Sequence, residues 1–207
     1  LASLCLLIIS GMLLLIMSII GHEIVGGDML AYSSRNPTRS GNVFLSDVQR
    51  NLRVNITHSH ADNFQVTWSP DGESLAYASF ESNMTSITIT HSDGRIQQQV
   101  PVSGGLISPL IWLPDNRTLA YLTPTTDENN EFVTSIIWLL DIVSGEITPF
   151  TQLVETANVL DFSLSPSPDG RTMTLTSHRN DNADVMSIDM TTREMTLLTT
   201  DPGADGN

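Results

Sequence analysis

The sequence predicts an all-β protein: an incomplete β-propeller of four-stranded antiparallel blades, preceded by one amino-terminal transmembrane helix. A turn cassette recurs three times, and strands of alternating apolar residues surround each copy. The helix is predicted because the first twenty residues carry no charge. The cassettes are Trp68-Ser69-Pro70-Asp71-Gly72, Trp112-Leu113-Pro114-Asp115-Asn116 and Pro166-Ser167-Pro168-Asp169-Gly170.

Each cassette carries the residues of a tight turn between antiparallel strands. Proline presets φ at the second position of a type I turn, aspartate suits the third, and glycine accepts the positive φ that follows. Asn116 replaces glycine in the second copy, and asparagine also tolerates positive φ. We therefore single out these turns as structural repeat residues: Ser69, Pro70, Asp71, Gly72, Leu113, Pro114, Asp115, Asn116, Ser167, Pro168, Asp169 and Gly170.

The clearest repeat unit spans residues 64–101 and reads as a four-stranded meander. Its predicted strands are Phe64–Trp68, Leu75–Ser79, Thr85–Thr90 and Ile96–Val100, with a polar loop from Phe80 to Met84 and a turn at His91–Gly94.

The same pattern predicts further blades on either side of this unit. Four-stranded units that cannot bury their faces alone stack radially as propeller blades. The extra residues of the longer repeats lie in polar stretches such as 123–131 and 152–158. The predicted divisions are a transmembrane segment at 1–21, a partial three-stranded blade at 22–57, blades at 64–101, 106–151 and 159–200, and a linker to a missing blade at 201–207.

The amino-terminal segment predicts that the chain is inserted in a membrane through residues 1–20. Twenty apolar residues span about 30 Å as a helix, which matches the bilayer core. An uncleaved signal anchor is favoured over a cleaved secretory signal, because no small-x-small cleavage site follows, and over a buried core helix. The first basic residue is Arg35, so charge does not set the orientation. The simplest topology places the propeller on the extracytoplasmic side.

Composition excludes several classes of function. The net charge of −14 argues against nucleic-acid binding, which needs clustered basic residues. All nine basic residues are arginine, so lysine chemistry is excluded. Cys5 is the only cysteine, which excludes a disulfide framework and a cysteine-based zinc site. No nucleophile elbow, Walker loop or zinc-protease motif occurs, and no catalytic residue, metal or cofactor is predicted.

Four weaker patterns each have a structural alternative. His58 and His60 with Asp62 could bind a metal, but read more simply as a linker between blades. The acidic stretches 127–131 and 180–184 could bind calcium, but resemble solvated hairpins. Glycosylation acceptor triplets begin at Asn55, Asn83 and Asn116, in a chain rich in Asn and Thr. Trp68, Trp112 and Trp138 are expected in the core between sheets, with an aromatic ligand platform as the alternative.

The cassette, followed by Leu75-Ala76-Tyr77 and an alternating strand that ends in Asp-Gly or Ser-Gly, resembles the TolB-like β-propeller repeat. The resemblance covers residues 30–200. Departures are Pro166 in place of Trp, Asn116 in place of Gly, and Met173-Thr174-Leu175 in place of Leu-Ala-Tyr. It implies a non-enzymatic scaffold at a bacterial cell envelope that binds a protein or peptide through its loop face or channel mouth.

Two other functions stay open. Such propellers also resemble the amino-terminal gating domain of prolyl-oligopeptidase-type serine peptidases, whose catalytic domain would lie outside this chain. The propeller could instead be the ectodomain of a membrane sensor. Because three and a partial blade are too few to close a ring, we expect an amino-terminal fragment whose missing first strand comes from the absent carboxyl terminus.

Overall fold

The computed structural model describes residues 29–34, 40–58, 60–106, 109–126, 128–129, 132–151, 161–178 and 183–199. Over these ranges the chain forms four antiparallel sheets, and each sheet is a meander whose neighbouring strands follow one another in sequence. The all-β prediction is confirmed. We number the sheets blades 1 to 4 in chain order.

Blade 1 has three described strands, and the other blades have four each. Blade 1 comprises β1 (Met29–Ser34), β2 (Asn42–Asp47) and β3 (Leu52–Asn55); blade 2 comprises β4 (Asp62–Trp68), β5 (Ser74–Glu81), β6 (Met84–His91) and β7 (Ile96–Val102). Blade 3 comprises β8 (Ile111–Trp112), β9 (Thr118–Thr126), β10 (Phe132–Asp141) and β11 (Ile147–Pro149); blade 4 comprises β12 (Asp161–Pro166), β13 (Thr172–Ser177), β14 (Asp184–Asp189) and β15 (Met195–Leu197).

The loop predicted from Phe80 to Met84 is wrong, because two strands continue into it. β5 and β6 pair as far as Glu81 and Met84, so only Ser82 and Asn83 form the connection. Both have positive φ, 51° and 64°, which is the geometry of a type I′ hairpin turn. The sequence concealed this turn because it lacks glycine. The polar stretch 123–131, which accounts for extra residues in the longer repeat, begins within a strand, because β9 continues to Thr126.

The core lies between blades rather than within any one of them. Successive side chains of a strand point to opposite faces, so each blade meets its two neighbours through alternate residues. The cluster between blades 2 and 3 contains Ala76, Ile87, Ile89, Val100, Trp112, Leu119, Tyr121 and Leu140. The cluster between blades 3 and 4 contains Ala120, Leu122, Ile137, Phe150, Met173, Leu175, Met186 and Ile188.

The cassettes and the turns between third and fourth strands lie at the same end of the blades, which we call the turn face. In blade 2 the Ser92 amide donates to the Glu73 carbonyl at 3.0 Å. The same bond joins Ile142 to Arg117 in blade 3, and Met190 to Arg171 in blade 4. Blades 2, 3 and 4 thus share one recurring backbone hydrogen bond at the turn face.

The turn between third and fourth strands also packs against the last strand of the preceding blade, which we call its outer strand. A Cβ atom added to Gly94 of blade 2 would lie 2.9 Å from Ile56, just after β3. The Arg193 guanidinium of blade 4 lies 5.4 Å from the centre of the Phe150 ring, just after β11. In both pairs, the turn of one blade contacts the outer strand of the blade before it in the chain.

The predicted transmembrane segment, residues 1–21, lies outside the described residues. Within the ranges that the structure describes, no helix has the length and apolar character needed to cross a membrane.

Candidate functional site

The cassettes of blades 2 and 4 share one hydrogen-bonding pattern around their serine. The Ser69 hydroxyl donates to Asp71 Oδ1 at 2.6 Å and accepts from the Ser74 amide at 2.9 Å. In blade 4 the Ser167 hydroxyl makes the equivalent bonds to Asp169 and Thr172, at 2.7 and 3.0 Å. One hydroxyl and one carboxylate therefore fix the turn in both blades.

The cassette of blade 3 reaches a similar arrangement with different residues. Leu113 has no hydroxyl, and the Thr118 hydroxyl instead donates to Asp115 Oδ2 at 2.6 Å. The backbone amides of Arg117 and Thr118 donate to the other oxygen of the same carboxylate, at 2.9 and 2.8 Å. The aspartate is thus the common acceptor of all three turns.

Asn116 joins two blades. Its φ is 55°, the positive value that the sequence predicted. In addition its Oδ1 accepts a hydrogen bond at 2.9 Å from the Asp71 amide in the cassette of blade 2. On the other side, a Cβ atom added to Gly170 would lie 3.6 Å from Pro114. Successive cassettes therefore touch, and sequence reasoning found the backbone role of Asn116 but missed its acceptor role.

Aspartates end the third strands of blades 3 and 4 at the turn face: Asp141 ends β10 and Asp189 ends β14, 48 residues later. In blade 2 the equivalent residue is His91, and Asp93 lies two residues beyond it in the turn. The Asp141 carboxylate accepts from the Arg117 guanidinium, with the closest nitrogen and oxygen 2.6 Å apart. This bond, with those from the Ser144 and Val143 amides, lowers the pKa of Asp141 to about 2. Hydrogen bonds from the backbone amides of Thr192 and Thr191 likewise lower the pKa of Asp189. These carboxylates are held in the charged form.

A repeated threonine also escaped the sequence analysis. The Thr57 hydroxyl accepts from the Val43 amide at 2.9 Å, so it ties the end of the outer strand to the third strand of the blade. Thr151 and Thr199 make the same bond to Ile137 and Val185, again fourteen residues earlier. The spacing was visible in the sequence, but the strand register was needed to recognise it.

The candidate metal ligands do not converge. His58 and His60 are exposed, and Asp62 Oδ1 accepts from the Gly41 amide at 2.7 Å. Within the described ranges, no group of three or more His, Cys, Asp or Glu side chains could hold a metal ion. Most of the acidic stretches 127–131 and 180–184 lies outside those ranges.

The tryptophan side chains lie in or near the core. Trp112 is 5% exposed in the cluster between blades 2 and 3, and Trp138 packs against that cluster. The Trp138 indole N–H donates to the Thr123 hydroxyl at 2.8 Å. Trp68 is half-buried at the end of β4. The structure thus favours the core role over an aromatic ligand platform.

The described residues line two cavities that the sequence did not predict, one between blades 1 and 2 and one along blade 2. One, of about 440 Å³, is lined by Ser33, Asp62, Asn63, Phe64 and Phe80. The other, of about 410 Å³, we call the hydroxyl groove. It is lined by Ala61, Tyr77, Ser79, Glu81, Ser82, Met84, Thr85, Ser86, Thr88, Ile96, Gln99 and Pro101.

A buried polar network forms the floor of the hydroxyl groove. The Ser79 hydroxyl donates to Asn63 Oδ1 at 2.8 Å and lies 3.2 Å from the Thr88 hydroxyl. The Asn63 amide group donates to the Gly41 carbonyl at 3.1 Å, which connects the network to blade 1. Burial raises the pKa of Tyr77, and its hydrogen bond to Thr88 partly opposes that effect. These side chains are held in place before any ligand arrives.

Comparisons with known proteins define the fold. No protein-family model matches the sequence, and no curated protein is significantly similar to it. TolB from Acinetobacter baumannii is 20% identical with a TM-score of 0.63, over 87% of this chain and 44% of that one. A putative TolB from Agrobacterium tumefaciens is 18% identical with a TM-score of 0.59, over 84% of this chain and 63% of that one. The β-propeller domain of the Trilobed protease from Pyrococcus furiosus is 12% identical with a TM-score of 0.61, over 83% of this chain and 53% of that one.

The chain spans about half the length of these three solved structures. At these identities the similarity defines the fold and not the activity. The described part of the chain therefore has the TolB-like β-propeller fold, formed by three four-stranded blades and one three-stranded sheet.

Proposed function

We propose that this chain is a membrane-anchored, extracytoplasmic propeller that acts as a non-enzymatic scaffold and binds a protein or peptide. The observation that carries the proposal is the rigid, acidic turn face. Adjacent cassettes are linked by the bond from the Asp71 amide to Asn116, and the carboxylates of Asp141 and Asp189 have lowered pKa values. A rigid frame of this kind holds a binding surface in one shape and reduces the entropy lost on association.

Charge gives the expected class of partner. The net charge of −14 favours partners with basic surfaces and speeds their association at low ionic strength. The apolar segment at residues 1–20 supports anchoring, and the acidic propeller that follows it would then lie outside the cytoplasm.

The full chain in detergent micelles, panned against phage that display short random peptides, tests the proposal. We expect enrichment of peptides rich in lysine and arginine, with affinities that fall as salt is added. Heat-unfolded chain should not retain the selected phage. A failure to enrich any peptide on the folded chain contradicts the proposal, and so does cleavage of the selected peptides by the purified chain.

The alternative is a gating propeller of a prolyl-oligopeptidase-type serine peptidase. It is supported by the similarity to the propeller domain of the Trilobed protease. Reading the surrounding open reading frame separates the two, because the peptidase requires a Gly-x-Ser-x-Gly elbow followed by aspartate and histidine.

A further inference from the structure

We propose that the hydroxyl groove binds an extended peptide and that Glu81 selects a basic side chain within it. This inference rests on the proposed function, because it names the surface through which the propeller would bind a peptide.

The groove exists because blade 2 departs from the other blades at equivalent positions. In the pairing of second and third strands, Tyr77 lies opposite Thr88, Tyr121 opposite Trp138, and Leu175 opposite Met186. One step along the same face, Leu75 lies opposite Thr90, whereas Leu119 lies opposite Leu140 and Met173 opposite Ile188. Blade 2 thus carries two threonines where blades 3 and 4 carry large apolar side chains.

At a third position on this face, blade 2 again has a hydroxylated residue on its third strand where blade 3 has an apolar one. Ser79 lies opposite Ser86 in blade 2, and Thr123 lies opposite Ile136 in blade 3. The apolar residues Trp138 and Leu140 take part in the core between blades 2 and 3. The small hydroxylated side chains Ser79, Ser86 and Thr88 line a cavity of about 410 Å³, within the range of small-ligand and peptide pockets, whereas Thr90 is fully buried outside that lining.

The charge of the described groove lining disfavours anionic ligands. Among the described residues that line it there is no arginine or lysine, and Glu81 adds a carboxylate at its exposed end. A phosphate or an acidic peptide would therefore meet repulsion without a compensating charge. A lysine or arginine side chain would instead pair with Glu81.

The lining favours a peptide over a saccharide. Met84 and Ile96 are 67% and 64% exposed at the rim, where they offer apolar contact to side chains of a ligand. Hydroxyl and amide groups such as Ser86 and Gln99, whose side chains are joined at 2.9 Å, suit the polar groups of a peptide backbone. Tyr77, the only aromatic side chain among the described lining residues, is 4% exposed and offers no face on which a sugar ring could stack.

The experiment uses the full chain in detergent micelles and the peptides that it selects from phage display. Ser86→Ile introduces the residue that blade 3 carries at the equivalent position, and we expect it to weaken the selected peptides at least about tenfold, which corresponds to about 1.4 kcal/mol. Thr148→Ile, an exposed position in the outer strand of blade 3, is the matched control and should leave affinity unchanged. Peptide binding should also slow hydrogen exchange at residues 84–88 and 96–101 of the unaltered chain.

Glu81→Gln provides a second variant at an exposed position, where folding is not at risk. It should weaken the binding of peptides that contain lysine or arginine, and that binding should become less dependent on salt. Neutral peptides should bind as before.

The outcomes separate the groove from the general proposal. If peptides are selected but bind both variants as tightly as the unaltered chain, the groove is not the site, although the scaffold function stands. If no peptide is selected, both proposals fail. Displacement of the selected peptides by a neutral oligosaccharide such as maltohexaose would overturn the assignment to a peptide.

Discussion

Thr88 and Thr90 are neighbours on one face of β6, yet the same substitution should affect them in opposite directions. Thr90 is fully buried, and its hydroxyl has no hydrogen-bond partner among the described residues. Thr88 is 2% exposed, and its hydroxyl bonds with Ser79 and Tyr77. Valine has the shape of threonine and the same preference for strands, so Thr→Val at either position chiefly removes the hydroxyl.

The expected changes in the free energy of unfolding depend on the hydrogen bonds that each variant loses and on the desolvation cost that it removes. An unsatisfied buried polar group costs about 1–3 kcal/mol, so Thr90→Val should raise the free energy of unfolding by at least about 1 kcal/mol. Thr88→Val removes a satisfied hydroxyl and deprives Ser79 and Tyr77 of a partner. It should lower the free energy of unfolding by about 1–2 kcal/mol. The two variants should therefore differ by about 2 kcal/mol or more.

Urea unfolding of the full chain in micelles, followed by tryptophan fluorescence, measures both values. Equal slopes against urea would show that the two variants expose the same surface on unfolding, so the midpoints can be compared directly. If Thr90→Val destabilises the chain as much as Thr88→Val, then the Thr90 hydroxyl is satisfied in solution and the reasoning from burial is refuted.

Four further predictions test the turns, the core and the ionisable groups. Gly72→Ala should destabilise the chain by about 1–2 kcal/mol in urea, because φ is 73° with open space around the added Cβ, whereas Gly105→Ala, at ordinary φ, should be neutral. Leu122→Ala should lower the free energy of unfolding by about 2–5 kcal/mol, whereas Val143→Ala, which is 73% exposed, should change it by less than about 0.5 kcal/mol. The pKa of Asp141 is about 2 in the folded chain against an ordinary value of 3.8. The stability that this carboxylate contributes should therefore be complete above pH 3.8 and lost as pH falls towards 2. The free energy of unfolding of Asp141→Asn, measured over the same acid range, should lack this pH-dependent loss. Burial raises the pKa of Tyr121 from 10.0 to about 12, so the stability that this residue contributes should be complete below pH 10 and lost as pH rises towards 12. In alkaline titrations of the free energy of unfolding, Tyr121→Phe should therefore lose less stability than the unaltered chain.

The blades could be predicted because their signals are local. Period-two alternation identifies a strand, and Pro70-Asp71-Gly72 identifies a turn without knowledge of anything distant. The connection at Ser82 and Asn83 was missed because positive φ there is imposed by the paired strands β5 and β6, in a segment without glycine. Local chemistry determines the type of element more firmly than where it ends.

The hydroxyl groove could not be predicted because it depends on a comparison across blades. Thr88, Trp138 and Met186 become equivalent only when the register of each second and third strand is known. Read alone, the alternation of Ile87 and Ile89 with threonines predicts an ordinary half-buried strand. The interblade bond of Asn116 was missed for the same reason, since its partner Asp71 lies 45 residues earlier.

The way each turn between third and fourth strands rests on the preceding outer strand gives the assembly a direction. Gly94 abuts Ile56, and Arg193 lies over Phe150, so in each case the supporting residue is the one nearer the amino terminus. A ribosome delivers the amino-terminal residues first. At these two junctions, the newly synthesised turn therefore meets a supporting residue that the ribosome has already delivered.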